Sequence, residues 1–155
     1  MKDIKVLLVD DEEEFVQSLA ERIRIRELGS DVALNGEEAL AKLEEKLPDV
    51  MILDFKMPGI DGLTVLEQVK KAYPGVQVIM LTAHGTPEIE KKARELGAFD
   101  YLQKPVAIDK LTKVIEKAYE YKQKAEKSLM AATFAEAGDF DGAEKILGKD
   151  KKKDK

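Results

Sequence analysis

Four groups of residues in this chain have the types and spacing for phosphoryl chemistry: Asp10-Asp11, Asp54, Thr82 and Lys104. Asp54 closes the apolar run Val50-Met51-Ile52-Leu53 and stands just before Met57-Pro58-Gly59. A carboxylate at the carboxyl end of a buried strand points into a loop crevice, where open α/β sheets bind ligands. There it can attack a phosphorus atom and form an acyl phosphate. Asp10 and Asp11 follow a first apolar run, Ile4 to Val9. With Asp54 they could supply the few carboxylate oxygens that a hard divalent ion such as Mg²⁺ takes. Thr82 offers a hydroxyl to a phosphoryl oxygen, and Lys104 a point charge. Each residue also has a plainer explanation. Asp10 and Asp11 would suit a helix start and Asp54 a turn cap after a strand, while a lone threonine at a strand end or a lone lysine before Pro105 means little by itself. Their coincidence at four strand ends favours the chemical reading.

The elements that must position these groups alternate along the chain. Apolar runs at Ile4–Val9, Val50–Leu53, Val76–Leu81 and Ala98–Leu102 read as strands. A second strand is expected within Leu28–Leu34, where Gly29-Ser30-Asp31 blurs the pattern. Helical spacing joins Phe15, Val16, Leu19 and Ile23; then Ala39, Leu40, Leu43 and Leu47, stopped by Pro48; then Leu63, Leu66 and Val69 over 62–73. Pro87 opens a fourth helix that Gly97 ends, and Ile108 opens a fifth with Leu111, Ile115 and Ala118 inward. Five strand–helix units in strict alternation imply a parallel sheet with helices on both faces.

Composition narrows the chemistry. The chain has no cysteine and one histidine, which excludes thiolate chemistry and multi-histidine metal clusters. His84, that single histidine, is expected at the rim of the pocket and not as a base. A net charge of −5 argues against sequence-independent nucleic-acid binding. No apolar run approaches the roughly 20 residues of a membrane span, so a cytoplasmic protein is expected.

Val9-Asp10-Asp11, Asp54-Phe55-Lys56-Met57-Pro58-Gly59-Ile60-Asp61-Gly62, Leu81-Thr82-Ala83 and Tyr101-Leu102-Gln103-Lys104-Pro105 resemble the receiver domain of bacterial two-component response regulators. The likeness runs from about Lys5 to about Ala118. It implies a flavodoxin-like fold with strand order 2-1-3-4-5 and phosphorylation of Asp54 by a sensor histidine kinase. It also implies a Mg²⁺ ion held by Asp11 directly, Asp10 through water, Asp54, and the backbone carbonyl of Lys56. Thr82 would then move toward the phosphoryl group and Tyr101 would follow it inward, reshaping the face of the fourth helix, fifth strand and fifth helix. Tyr101 as plain packing in a short strand is the competing reading.

The expected organisation is a receiver over 1–120, a helical extension over 121–148 and a disordered charged tail over 149–155. About 35 residues beyond the receiver are too few for a DNA-binding domain with its own core. The expectation is therefore a stand-alone switch that signals by protein contact, with no direct nucleic-acid or membrane partner. A phosphorylation-dependent dimer is one candidate output. The segment turning at Gly138 resembles one helix-turn-helix unit of a tetratricopeptide repeat. It reads either as a docking or dimerising element, or as a hairpin packed against its own receiver or a long fifth helix that frays. The alternative function is a phosphorelay intermediate that passes its phosphoryl group to a histidine phosphotransfer protein. A hydrolase is disfavoured, since Lys56 stands where such enzymes commonly place a second acid. The protein is thus not expected to be an enzyme beyond promoting its own phosphorylation and dephosphorylation.

Overall fold

In the computed structural model, which describes residues 3–136, the strands are β1 (Lys5–Val9), β2 (Gly29–Ala33), β3 (Val50–Leu53), β4 (Gln77–Thr82) and β5 (Asp100–Gln103). The helices between them are α1 (Glu13–Ile25), α2 (Gly36–Glu45), α3 (Gly62–Ala72), α4 (Pro87–Glu95) and α5 (Ile108–Glu136). All strands are parallel in the order β2-β1-β3-β4-β5, the flavodoxin-like arrangement. The chain divides into two units between Tyr119 and Glu120. The turn expected at Gly138, the stub at 143–147 and the charged run at 149–155 lie outside the described residues.

The period of two in each strand sorts its side chains into two cores. Val6 and Leu8 of β1, Val50 and Ile52 of β3, and Ile79 and Leu81 of β4 pack against Val16, Leu19, Ala20 and Ile23 of α1 and Leu111, Ile115 and Ala118 of α5. Leu7 and Val9, Met51 and Leu53, and Val78 and Met80 pack against Ala39 and Leu43 of α2, Val65, Leu66 and Val69 of α3, and Ala93 of α4. Burial on both faces explains why β1, β3 and β4 are nearly continuous apolar runs. Each fully buried Leu, Ile, Val or Met adds about 1.5–3 kcal/mol relative to exposure.

β2 is an edge strand with only Ala33 fully buried, which accounts for its weak sequence signal. Gly29 N–H donates to Ile4 O, and Ala33 O accepts from Asp10 N–H, so alternate residues of β2 face β1. The backbone N–H and carbonyl of Val32 therefore face the outer margin, while its side chain packs, partly buried, against the core. Its N–H donates to Asp31 Oδ1 at 2.9 Å, and its carbonyl accepts from Lys42 Nζ at 2.6 Å.

Several expected boundaries shift for local reasons. α2 stops at Glu45 because Lys46 is extended, and Leu47, expected on the apolar face, is half exposed. A residue before proline is disfavoured in the helical region, so the helix breaks off before Leu47 can carry the stripe on to Pro48. α3 buries Val65, while Leu63 is only partly covered. α1 ends at Ile25 without a glycine: Glu27 takes φ 64° and Leu28 N–H donates to Ile23 O. α4 ends as expected, with Gly97 at φ 102°. β5 starts at Asp100, two residues later than expected, because Ala98 N–H is spent on Ala93 O.

Candidate functional site

The strand order sets β1 beside β3, with connections leaving in opposite directions, and this opens a crevice at their carboxyl ends. Asp10 and Asp54 stand there, the first residues after β1 and β3. Both are locked at the backbone: Asp10 N–H donates to Ala33 O at 3.1 Å and Asp54 N–H to Val9 O at 3.0 Å. Both residues are nearly sealed, Asp10 at 5 % and Asp54 at 2 % exposure. Asp54 Oδ1 accepts the Phe55 N–H at 2.8 Å, and Asp10 Oδ1 accepts the Glu12 N–H at 2.9 Å.

Lys104 enters from the end of β5. Its Nζ lies 2.5 Å from Asp10 Oδ2, 3.1 Å from Glu12 Oε1 and 3.7 Å from Asp54 Oδ2. The same ammonium sits over the Phe15 ring, 4.2 Å from its centroid, within cation–π range. The Lys104–Pro105 peptide bond is cis. Burial works to lower the Lys104 pKa, yet the hydrogen bond and charge of Asp10, the charge of Asp54 and the Glu12 bond outweigh it and hold the ammonium above its ordinary value. Burial raises the Asp10 carboxyl, as does the Asp54 charge, against the opposing pull of Lys104 and the Glu12 N–H. Both shifts have one origin: several carboxylates share a single cation in a desolvated crevice.

Among the described residues, the carboxylates whose oxygens converge within 4.8 Å are Asp10, Glu12 and Asp54. Asp11 is exposed and outside that group. Glu12 was missed in the sequence, where it reads as one more acid in a helix's first turn. It is instead the N-cap residue of α1 and makes no side-chain capping bond, which leaves its carboxylate for Lys104. Phe15 was read as core alone. A hard oxygen donor set with surplus negative charge fits a divalent ion such as Mg²⁺. Lys56 is exposed, on a loop held by Glu37, whose Oε1 accepts the Ile60 N–H at 3.3 Å.

Thr82, the last residue of β4, is fully buried. Its Oγ1 accepts the His84 N–H at 3.1 Å, so its own hydroxyl proton remains for an acceptor. His84 is exposed, as expected for a rim residue. Tyr101 is buried at 7 % exposure, and its hydroxyl is the one buried side-chain polar atom among the described residues without a hydrogen-bond partner. Burial, then the charges of Glu90 and Asp54, pushes its phenol above the usual value. A cavity of about 500 Å³ lies elsewhere, lined by Lys5, Gly29, Asp31, Lys42 and Pro48 at the amino ends of β1 and β2.

Residues 6–116 match the family model of the response regulator receiver domain. The chain belongs to this family. The receiver is 45 % identical over 89 residues to the DNA-binding transcriptional regulator NtrC of Salmonella typhimurium, covering 57 % of this chain and 19 % of that protein. It is 40 % identical over 122 residues to an NtrX-like response regulator of Rickettsia felis, covering 77 % of this chain and 26 % of that protein. This chain thus spans about a fifth to a quarter of the length of such relatives. Among solved structures, a CheY-like receiver domain protein from Methanospirillum hungatei superposes with a TM-score of 0.77 at 27 % identity, covering 80 % of this chain and 99 % of that one. The receiver domain of NtrX from Brucella abortus gives 0.70 at 32 % identity, covering 74 % and 98 %. Receiver domains serve two-component phosphorelay signalling, and residues 6–116 form such a domain. Among the described residues, no helix is long and apolar enough to cross a membrane.

Proposed function

We propose that Asp54 accepts a phosphoryl group from a phosphohistidine of a sensor histidine kinase. The observation that carries this reading is the state of its carboxylate: one oxygen fixed by the Phe55 N–H, the other facing the Lys104 ammonium at 3.7 Å. The facing oxygen, Oδ2, is the nucleophile. Its bond to phosphorus forms as the phosphorus–nitrogen bond breaks, and the imidazole takes back the electron pair. Asp10, Asp11, Asp54 and the Lys56 carbonyl are the set that would hold Mg²⁺, with Glu12 close enough to join them. When bound, the ion spreads the negative charge of the transferring oxygens.

Lys104 leaves its bond to Asp10 and pairs with a phosphoryl oxygen. Thr82 donates its free hydroxyl proton to another. Tyr101, packed beside Thr82, transmits that shift to the face of α4, β5 and α5, which is a local charge biasing a two-state surface. The covalent change is confined to the protein's own aspartate, so the output is recognition and not turnover. The switched face is read by a separate protein or by another domain of a longer chain. Beryllofluoride, a phosphoryl mimic, tests the acceptor. With Mg²⁺ it should bind the wild type and fail to bind Asp54→Asn. Equal binding by the two would overturn the assignment.

A further inference from the structure

The space that Tyr101 fills belongs to two residues at once. A Cβ on Gly85 would stand 1.5 Å from the Tyr101 hydroxyl oxygen, 2.7 Å from its Cζ and 3.2 Å from Thr82 Cγ2. Gly85 does not have the left-handed backbone that calls for glycine; among the described residues the glycines with positive φ are Gly59 and Gly97. What Gly85 supplies is therefore room, and Tyr101 occupies it.

We infer that Gly85 is a positioning residue: it admits the Tyr101 ring under the turn that follows Thr82, and a side chain there turns the ring outward and uncouples it from Thr82. This rests on the reading of Tyr101 as the element that transmits phosphorylation. The ring yields and the turn does not, because the turn is pinned on both sides. Thr82 O accepts the Lys104 N–H at 3.1 Å, Thr82 Oγ1 accepts the His84 N–H at 3.1 Å, and Thr86 Oγ1 caps α4 through the Ile89 N–H at 3.2 Å. Tyr101 has only a side-chain torsion to change, and its orphaned hydroxyl breaks no hydrogen bond on leaving. Asp54 and Lys104 are not among the close neighbours of that Cβ, so phosphoryl binding and ring position should separate.

The test uses the full chain labelled with ring-¹³C tyrosine, the Tyr101 signal being assigned through Tyr101→Phe. A soluble gadolinium chelate should broaden the exposed Tyr121 and spare Tyr101 in the wild type. In Gly85→Ala the Tyr101 signal should lose that protection, while Mg²⁺-dependent beryllofluoride binding persists. A Tyr101 ring still protected in Gly85→Ala overturns the inference. So does beryllofluoride binding lost in that variant but present in the wild type, since residue 85 would then shape the acceptor itself. If Gly85→Ala fails to fold, Gly85→Ala/Tyr101→Leu should fold, because leucine lacks the atoms the new methyl would strike; failure of both overturns it. Absence of beryllofluoride binding in the wild type would instead strike the Asp54 reading and leave the ring measurement to decide the role of Gly85.

Discussion

Gly62→Ala separates local helix preference from the packing that positions Asp54. Gly62 opens α3, and its N–H donates to Phe55 O at 2.8 Å. A Cβ there would lie 2.2 Å from the Asp54 carbonyl oxygen and 2.8 Å from Phe55 Cα, and the first contact has to open by about 1.2 Å to reach the ordinary 3.4 Å. Both neighbours are backbone, and Asp54 N–H is tied to Val9 O, so no flexible side chain can give way. Overpacking of this kind costs about 1–3 kcal/mol, with backbone contacts at the upper end. Alanine's helix propensity offsets at most about 1 kcal/mol. The expected net loss is about 2 kcal/mol. With a urea slope of about 2 kcal/mol/M, the unfolding midpoint falls by about 1 M. Displacing the acceptor by about 1 Å should also slow phosphorylation from a small phosphoryl donor on the order of 10²-fold. Gly29→Ala is the control: its Cβ would meet nothing closer than Ile4 O at 3.4 Å. It should stay within about 0.5 kcal/mol of wild type. Urea titration of both variants decides the matter, and a Gly62→Ala protein as stable as Gly29→Ala would refute the steric argument.

Three further outcomes are expected. Lys104→Met strips the ammonium from Asp10 and Asp54, whose side chains are 7 % and 1 % exposed, and should cost about 3 kcal/mol in chelator-treated protein; an unchanged urea midpoint would mean the cation is not holding the carboxylates. Tyr101→Phe removes an unpartnered buried hydroxyl and should stabilise by about 1 kcal/mol; a thermal melt showing a loss would mean the oxygen is bonded. Asp31 is pushed up by burial but pulled further down by its bonds to Lys42 and the Val32 N–H, so its folded pKa lies below 3.8. The resulting stability is present above 3.8 and lost as pH falls through the folded pKa. Asp31→Asn should therefore lose less than about 1 kcal/mol at pH 7, the pair being exposed. Urea midpoints at two pH values test this: the gap to wild type should close in strong acid, and a constant gap would exclude the charge.

Asp10, Asp54 and Thr82 were legible because each stands at the end of a buried strand, which is marked where its apolar run stops; Lys104 follows the edge strand β5 and was marked by the short apolar pair Tyr101-Leu102 and by Pro105. β2 was blurred because an edge strand with one neighbour has little apolar surface to hide. Glu12 and Phe15 were not legible as partners of Lys104. Their spacing is that of an amphipathic helix, and only the sheet order brings residue 104 to within reach of residue 12. The Gly85–Tyr101 contact was hidden for a related reason: a glycine without positive φ carries no turn signature. Leu47 misled because helical spacing continued past the point where the following proline disfavours a helix.

The two bonds at Val32 reach beyond β2 itself. Strand addition needs a free donor and acceptor on the margin it joins. At Val32, Asp31 takes the donor and Lys42 the acceptor, so a strand from another copy could bond at that residue only by displacing both side chains. At that residue the margin is closed by side chains of the chain itself. Pairing with another copy along this short, weakly apolar strand is thereby weakened at Val32.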